Sequence, residues 1–193
     1  MKRISLLAGI VLLALASGAC MADFSEDIGY FEDAVLETFH DDAFRQYCLE
    51  HFDVTGPEGV PDGFLSESEC SAVKSMDCSG LGIYDLSGIQ MFTSLDSLDC
   101  SDNFIEYLPL ESQENLKYLD CSHNRLQELY LFQTDVSILY CCPMLDFNGR
   151  NTLKYLYIRR GQEIEHVTSE RLNADPKRIP DETEIIAIPE TKK

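Results

Sequence analysis

Asp53, Thr55, Asp62, Phe64 and Glu69 stand in the order of the ligands of a calcium-binding loop. That chemistry needs oxygens at fixed loop positions, a glycine at the sharp bend and a bidentate glutamate last. In DVTGPEGVPDGFLSESE (53–69), Asp53 and Thr55 fill the first and third positions. Asp62, Gly63, the Phe64 carbonyl, Ser66 and Glu69 supply the second half. Five residues, Pro57 to Pro61, interrupt the loop in its middle, so the site is a degenerate one. The same residues support a different structure: Ser66 and Glu69 have the spacing of a capping box at the start of a helix. No cofactor other than calcium is implied anywhere in the chain.

Other reactive side chains are harder to assemble into a site. The four histidines (His40, His51, His123, His166) are scattered, and no pair has metal-ligand spacing. No G-x-S-x-G, phosphate-cradling glycine loop or H-E-x-x-H is present. Cys142 and His123, one repeat apart, are the one conceivable nucleophile–base pair. The chain therefore reads as a non-enzyme. Of its eight cysteines, Cys78, Cys100, Cys121 and Cys141 recur at a regular step, which reads as small buried hydrophobes forming a thiol ladder. Cys48 and Cys70 flank one loop and are the disulfide candidates.

The elements that position these residues are set by a repeated phrase. SLDSLDCSDN (94–103) and NLKYLDCSHN (115–124) share the frame L-x-x-L-x-C-x-x-N. Val73, Met76 and Cys78 precede them in frame. Val136, Leu139 and Cys141 follow, and then Leu153, Leu156 and Ile158. The first positions step by 22, 21, 20 and 17 residues. A period this short places the chain at the low end of leucine-rich repeats and predicts a stacked solenoid. The fold class is α+β, with about four to five coils, parallel strands on a concave face and an N-terminal helical cap. Each coil has a strand at its Leu-x-Cys centre and a turn at its Asn. Ile105, Leu108, Leu110 and Leu126, Leu129, Leu131 form short extended segments on the outer side.

Around this core the organisation is as follows. Residues 1–19 read as a signal peptide, with Lys2 and Arg3 ahead of an apolar run from Ile4 to Leu15 and small residues after it. Cys20 is the candidate lipidation site, the first residue of a mature lipoprotein. Residues 20–27 are an acidic spacer, and 28–71 a helical cap carrying the EF-hand-like loop. Phe44, Tyr47, Cys48, His51 and Phe52 have helical spacing there. Residues 72–160 are the repeats. Residues 161–193 are a C-terminal cap and tail, with one strand from Glu184 to Ile188. The net charge is −19, and loss of 1–19 removes two bases and no acid. Such a chain repels phosphate backbones, which excludes nucleic acid as a partner. The membrane enters only through the lipid anchor.

The frame, with Cys in a Leu slot and Asp before it, resembles the short leucine-rich repeats of exported, internalin-like proteins of Bacteroides-type bacteria. The phrase Gly88-Ile89-x-x-Phe92-Thr93-x-Leu95, the helix end His51-Phe52-Asp53 and the closing LKYLYIRRGQ (153–162) share in it. The resemblance implies a lipoprotein at the outer membrane or cell surface, and a protein-interaction architecture with no assigned ligand.

Strand alternation sends the frame residues inward and their neighbours to the concave face. One column reads Ser75, Ser97, Tyr118, Ile138, Tyr155. The next reads Asp77, Asp99, Asp120, Tyr140, Tyr157. A third ends on Arg159. Tyr118, Ile138, Tyr140, Tyr155, Tyr157 and Arg159 are thus expected as one ligand-binding patch for a protein or glycan partner. The alternatives are aromatic pairing that only stabilises the sheet, or packing beneath the tail. The aspartates are expected to bond nearby serine hydroxyls rather than a row of metals. The function expected is non-catalytic recognition in the cell envelope. The alternative is a structural or accessory envelope lipoprotein without an extracellular ligand.

Overall fold

The computed structural model describes residues 39–54, 60–141, 144–146, 150–166 and 183–189. The signal segment, Cys20, the spacer, residues 28–38, Thr55, Cys142 and the tail segments 167–182 and 190–193 lie outside the described residues. The chain separates into two units, Met1–Glu37 and Thr38–Lys193, and everything below concerns the second.

The frame repeats form strands because each places one large apolar side chain facing inward between two that face outward. Met76, Leu98, Leu119 and Leu139 are fully or almost fully buried at the strand centres. Strands β1 (Ser75–Asp77), β2 (Ser97–Asp99) and β3 (Tyr118–Asp120) lie side by side, parallel and in frame register: Ser75 opposite Ser97, Ser97 opposite Tyr118. Between β3 and the next frame strand the chain makes β4 (Glu128–Tyr130) on its outer run. β5 (Ile138–Tyr140) then pairs with β3, Tyr118 opposite Ile138. This stacking of parallel strands, one per repeat, is a leucine-rich-repeat-like solenoid.

Two further devices hold the coils together. Asn103 donates through Nδ2 to the carbonyls of Cys78, Cys100 and Ser101, and its Oδ1 accepts from the amides of Leu81 and Ile83. Asn124 repeats the pattern on Cys100, Cys121 and Ile105. Each asparagine therefore ties its own coil to the one before it, and satisfies backbone groups that burial would otherwise strand. The tight turn itself falls one residue earlier than the asparagines. Gly80, Asp102 and His123 occupy equivalent places with φ of 67°, 56° and 56°. That backbone region is cheap for glycine and tolerated by Asp and His among the rest.

Helix α1 (Asp42–Phe52) and helix α2 (Glu67–Ala72) lie against the first coil. Asp41 caps α1 by accepting from the amides of Ala43 and Phe44, and its other oxygen accepts from Tyr84 N at 2.8 Å. Phe44 and Cys48 are completely buried. The Tyr47 hydroxyl accepts from Asp77 N at 3.2 Å, on the edge of β1. Phe52 packs on Phe92, with ring centroids 5.5 Å apart. Phe39 lies over Gly88, where an added Cβ would come within 2.5 Å of its ring.

The last frame fragment departs from expectation. β6 (Tyr155–Arg159) does not extend the first sheet; it pairs with β4, Leu129 opposite Leu156, and with β8 (Glu184–Ile188). The first sheet continues instead through β7 (Glu165–His166) beside β5. The reason is visible in the frame. Leu153-x-x-Leu156-x-Ile158 repeats the outer Leu126-x-x-Leu129-x-Leu131, with an aliphatic residue in its last slot, rather than the Cys-ending inner one.

The six described cysteines, Cys48, Cys70, Cys78, Cys100, Cys121 and Cys141, are all buried. Cys48 and Cys70, the disulfide candidates, are separate thiols. The described residues contain no helix long and apolar enough to cross a membrane.

Candidate functional site

The outward face of the first sheet has the graded character expected of it. At its beginning the columns carry Ser75, Ser97, Asp77 and Asp99. Each aspartate is bonded within its own strand exit: Asp77 Oδ1 accepts from Ser79 Oγ at 2.7 Å, Asp99 from Ser101 at 2.7 Å and Asp120 from Ser122 at 2.6 Å. The following serine amide donates to the same oxygen in each. The row is thus a set of three identical turns stacked by the repeat. Burial pushes the Asp120 carboxyl above the ordinary carboxylate range, against the Ser122 hydrogen bonds, with Asp99 and Asp102 adding to the rise. Burial, with Asp120 beside it, also raises the Tyr118 hydroxyl.

Farther along the same face the acids give way to aromatic and aliphatic surface. Tyr118 and Tyr140 are half-buried with ring centroids 5.6 Å apart. Ile138, directly opposite Tyr118 in the register, is 37% exposed. These three residues are brought together as expected. Tyr155, Tyr157 and Arg159 are not; they stand on β6, in the second sheet. Arg159 pairs there with Asp135 at 3.1 Å. The expected six-residue patch is therefore two patches on two sheets.

The second sheet has its own aromatic group, which counting the frame residues did not find. Tyr130 and Tyr157, opposite each other in the β4–β6 register, stack with centroids 4.5 Å apart and planes 6° from parallel. Tyr155 lies 6.2 Å from Tyr157, and Phe132 stands edge-on to Tyr130 at 6.4 Å. The Tyr130 hydroxyl donates to Glu128, which pushes its pKa up to about 12. The signal in the sequence was the alternation Glu128-Leu129-Tyr130-Leu131-Phe132, a period of two with the polar and aromatic members facing out.

The residues of the calcium-type loop are held by the backbone. Asp53 is buried, and its two oxygens accept from the amides of Asp62 and Gly63 at 3.1 and 2.7 Å. Glu69, also buried, accepts from Val54 N at 2.7 Å and from Ser66 N at 2.8 Å. Ser66 Oγ accepts from Glu69 N, completing the capping box on α2. Asp62 accepts from Phe64 N, whose side chain points to the surface. Among the described residues no group of three His, Cys, Asp or Glu is arranged to hold a metal ion. His123, the base of the conceivable catalytic pair, has Nδ1 3.8 Å from Asp102; its cysteine lies outside the described residues.

No family model matches the chain, and no curated protein matches it significantly. Among solved structures it is similar to three internalins of Listeria monocytogenes. One is the functional domain of InlJ, described as including a cysteine ladder, at 20% identity over 70% of this chain and 39% of that one, TM-score 0.39. The second is InlF of strain 4b F2365, at 17% identity over 71% of this chain and 47% of that one, TM-score 0.42. The third is internalin C2 of the same strain, at 16% identity over 70% of each chain, TM-score 0.43. This chain spans less than half the length of the first two.

Proposed function

We propose that this chain is a non-catalytic recognition module of the cell envelope, and that a protein or glycan partner docks on the outward face of the first sheet at Tyr118, Ile138 and Tyr140. One observation carries the reading: three large outward side chains on adjacent strands, half-buried Tyr118 and Tyr140 and exposed Ile138, lie side by side, while Leu119 and Leu139 beside them are fully buried. Tyrosine contributes broad contact area and a polar tip at little entropic cost, which suits an interface anchor. The stacked Asp–Ser turns beside it supply hydrogen-bond acceptors on one flank. Export, lipidation at Cys20 and a place at the outer membrane or cell surface belong to the same proposal and rest on the leader sequence.

A second reading, a structural envelope lipoprotein without an extracellular ligand, is favoured by the second sheet. Its strand β8 leaves Ile185 51% exposed, a surface suited to packing against another envelope component.

The test is a glycan array together with affinity capture from envelope extracts, using the full chain beside a Tyr118→Ser/Tyr140→Ser variant of confirmed fold. A partner held by the wild type and lost by the variant supports recognition at this patch. Equal capture by both overturns it and leaves the structural reading.

A further inference from the structure

On the second sheet's side of the molecule, Tyr107, Glu111, Tyr130, Phe132 and Gln133 line an open hollow of about 320 Å³. Its walls come from two successive outer runs, one supplying Tyr107 and Glu111, the other Tyr130, Phe132 and Gln133. Tyr157, which stacks on Tyr130 from the run that follows, is not among the lining residues. Phe132 stands nearly perpendicular to Tyr130, at 78°, and both rings line the hollow. Tyr107 is 53% exposed, and its hydroxyl is held by Glu111 at 2.6 Å. None of the five lining side chains carries positive charge, and Glu111 is a carboxylate. Glu128, bonded to the Tyr130 hydroxyl, is a second one at the margin.

We propose that this hollow is a binding site for a cationic side chain, the guanidinium or ammonium group of a basic peptide segment. The rings of tyrosine and phenylalanine attract a cation brought within about 6 Å of their faces, and three such rings line this hollow. The carboxylate beside Tyr107 adds a charge-assisted hydrogen-bond acceptor. Gln133 supplies a neutral polar group able to accept from the remaining N–H donors. The chain already uses this chemistry internally: the Arg125 guanidinium sits 4.5 Å over the Phe104 ring. The net charge of −19 favours approach of a basic partner from any direction. The site is on a different sheet from the Tyr118 patch and stands independently of it.

The test uses the full chain and three blocked peptides of one length: one carrying Arg and Lys, one with citrulline and norleucine in their places, and one glutamate-bearing. A neutral chitin oligosaccharide serves as a fourth probe. Titration is followed by calorimetry and by tyrosine fluorescence. The cationic peptide is expected to bind, with the neutral and acidic peptides at least tenfold weaker. Phe132→Ala should weaken it about tenfold and Glu111→Gln several-fold, with Tyr118→Ser indistinguishable from wild type. Circular dichroism of each variant separates loss of the site from loss of the fold, and Phe132→Tyr, which keeps an aromatic wall, should restore binding. Absence of binding, equal binding of the neutral peptide, insensitivity to Phe132→Ala, or binding of the oligosaccharide alone would each overturn the assignment.

Discussion

The Asn103 side chain reaches back one coil to donate to the Cys78 carbonyl at 2.9 Å, while accepting from Leu81 N and Ile83 N at 3.1 and 2.9 Å. Cys78 and Ile83 are fully buried, so the Cys78 carbonyl and the Ile83 amide have no water to fall back on, whereas Leu81 is exposed. A buried polar group left without its partner costs about 1–3 kcal/mol. Asn103→Ala is therefore expected to destabilise the domain by about 3 kcal/mol or more. Asn103→Gln, too long to reproduce the geometry, should rescue little. Urea unfolding followed by circular dichroism reads the loss as a shift in midpoint.

A pH effect of known sign comes from Asp120. Its folded-state pKa is raised by burial and by Asp99 and Asp102. The native state thus binds more protons than the unfolded chain between the two pKa values, and the strain of the ionised form is felt above them. Asp120→Asn keeps an acceptor for Ser122 and removes the half-buried charge. It should raise Tm at pH 7, and that advantage should shrink as pH falls below the folded-state value toward about 4. Thermal melts across pH, beside an NMR titration of the Asp120 carboxyl, check both halves.

The thiols should be chemically silent until the fold opens. Burial pushes Cys78 up to about 12 and Cys70 up to about 11, and Cys48 and Cys100 are raised by the same cause. Only a thiolate reacts readily with an alkylating agent or aromatic disulfide. In a Cys20→Ser/Cys142→Ser chain, the six remaining thiols should be unreactive at pH 8 in native buffer. All six should react in guanidinium.

Glu69 is expected to act as a cap rather than as a metal ligand. Its carboxylate serves Val54 N and Ser66 N, both backbone donors. Ser66→Ala should cost about 1 kcal/mol through the lost N-cap. Glu69→Gln should lower Tm by the same amount with and without millimolar calcium. A calcium heat in the wild type that vanishes in Glu69→Gln would make this loop a metal site instead.

The first sheet was legible because its frame combines burial and period in one phrase: Leu98-x-Cys100 and Leu119-x-Cys121 can alternate only in a strand, and the step of about 21 stacks them. The outer sheet was harder to read. Its Leu126-x-x-Leu129-x-Leu131 and Leu153-x-x-Leu156-x-Ile158 match each other better than either matches the Cys frame, yet they are separated by 27 residues rather than 21. Counting steps between frames assigned the second to the wrong sheet, and carried Tyr155, Tyr157 and Arg159 with it. Strand pairing between different repeats is a non-local choice, and the local pattern states only which side chains face in. The asparagines were legible as turn residues. Their inter-coil bonds, and the left-handed residue one place earlier, needed the backbone geometry.

The most direct test of the recognition account is hydrogen–deuterium exchange of the full chain with and without the partner recovered by affinity capture. The account predicts slowed exchange in peptides covering 118–120 and 138–140, with 128–130 and 155–159 unchanged. Protection confined to the second sheet, or none on the first, would contradict it.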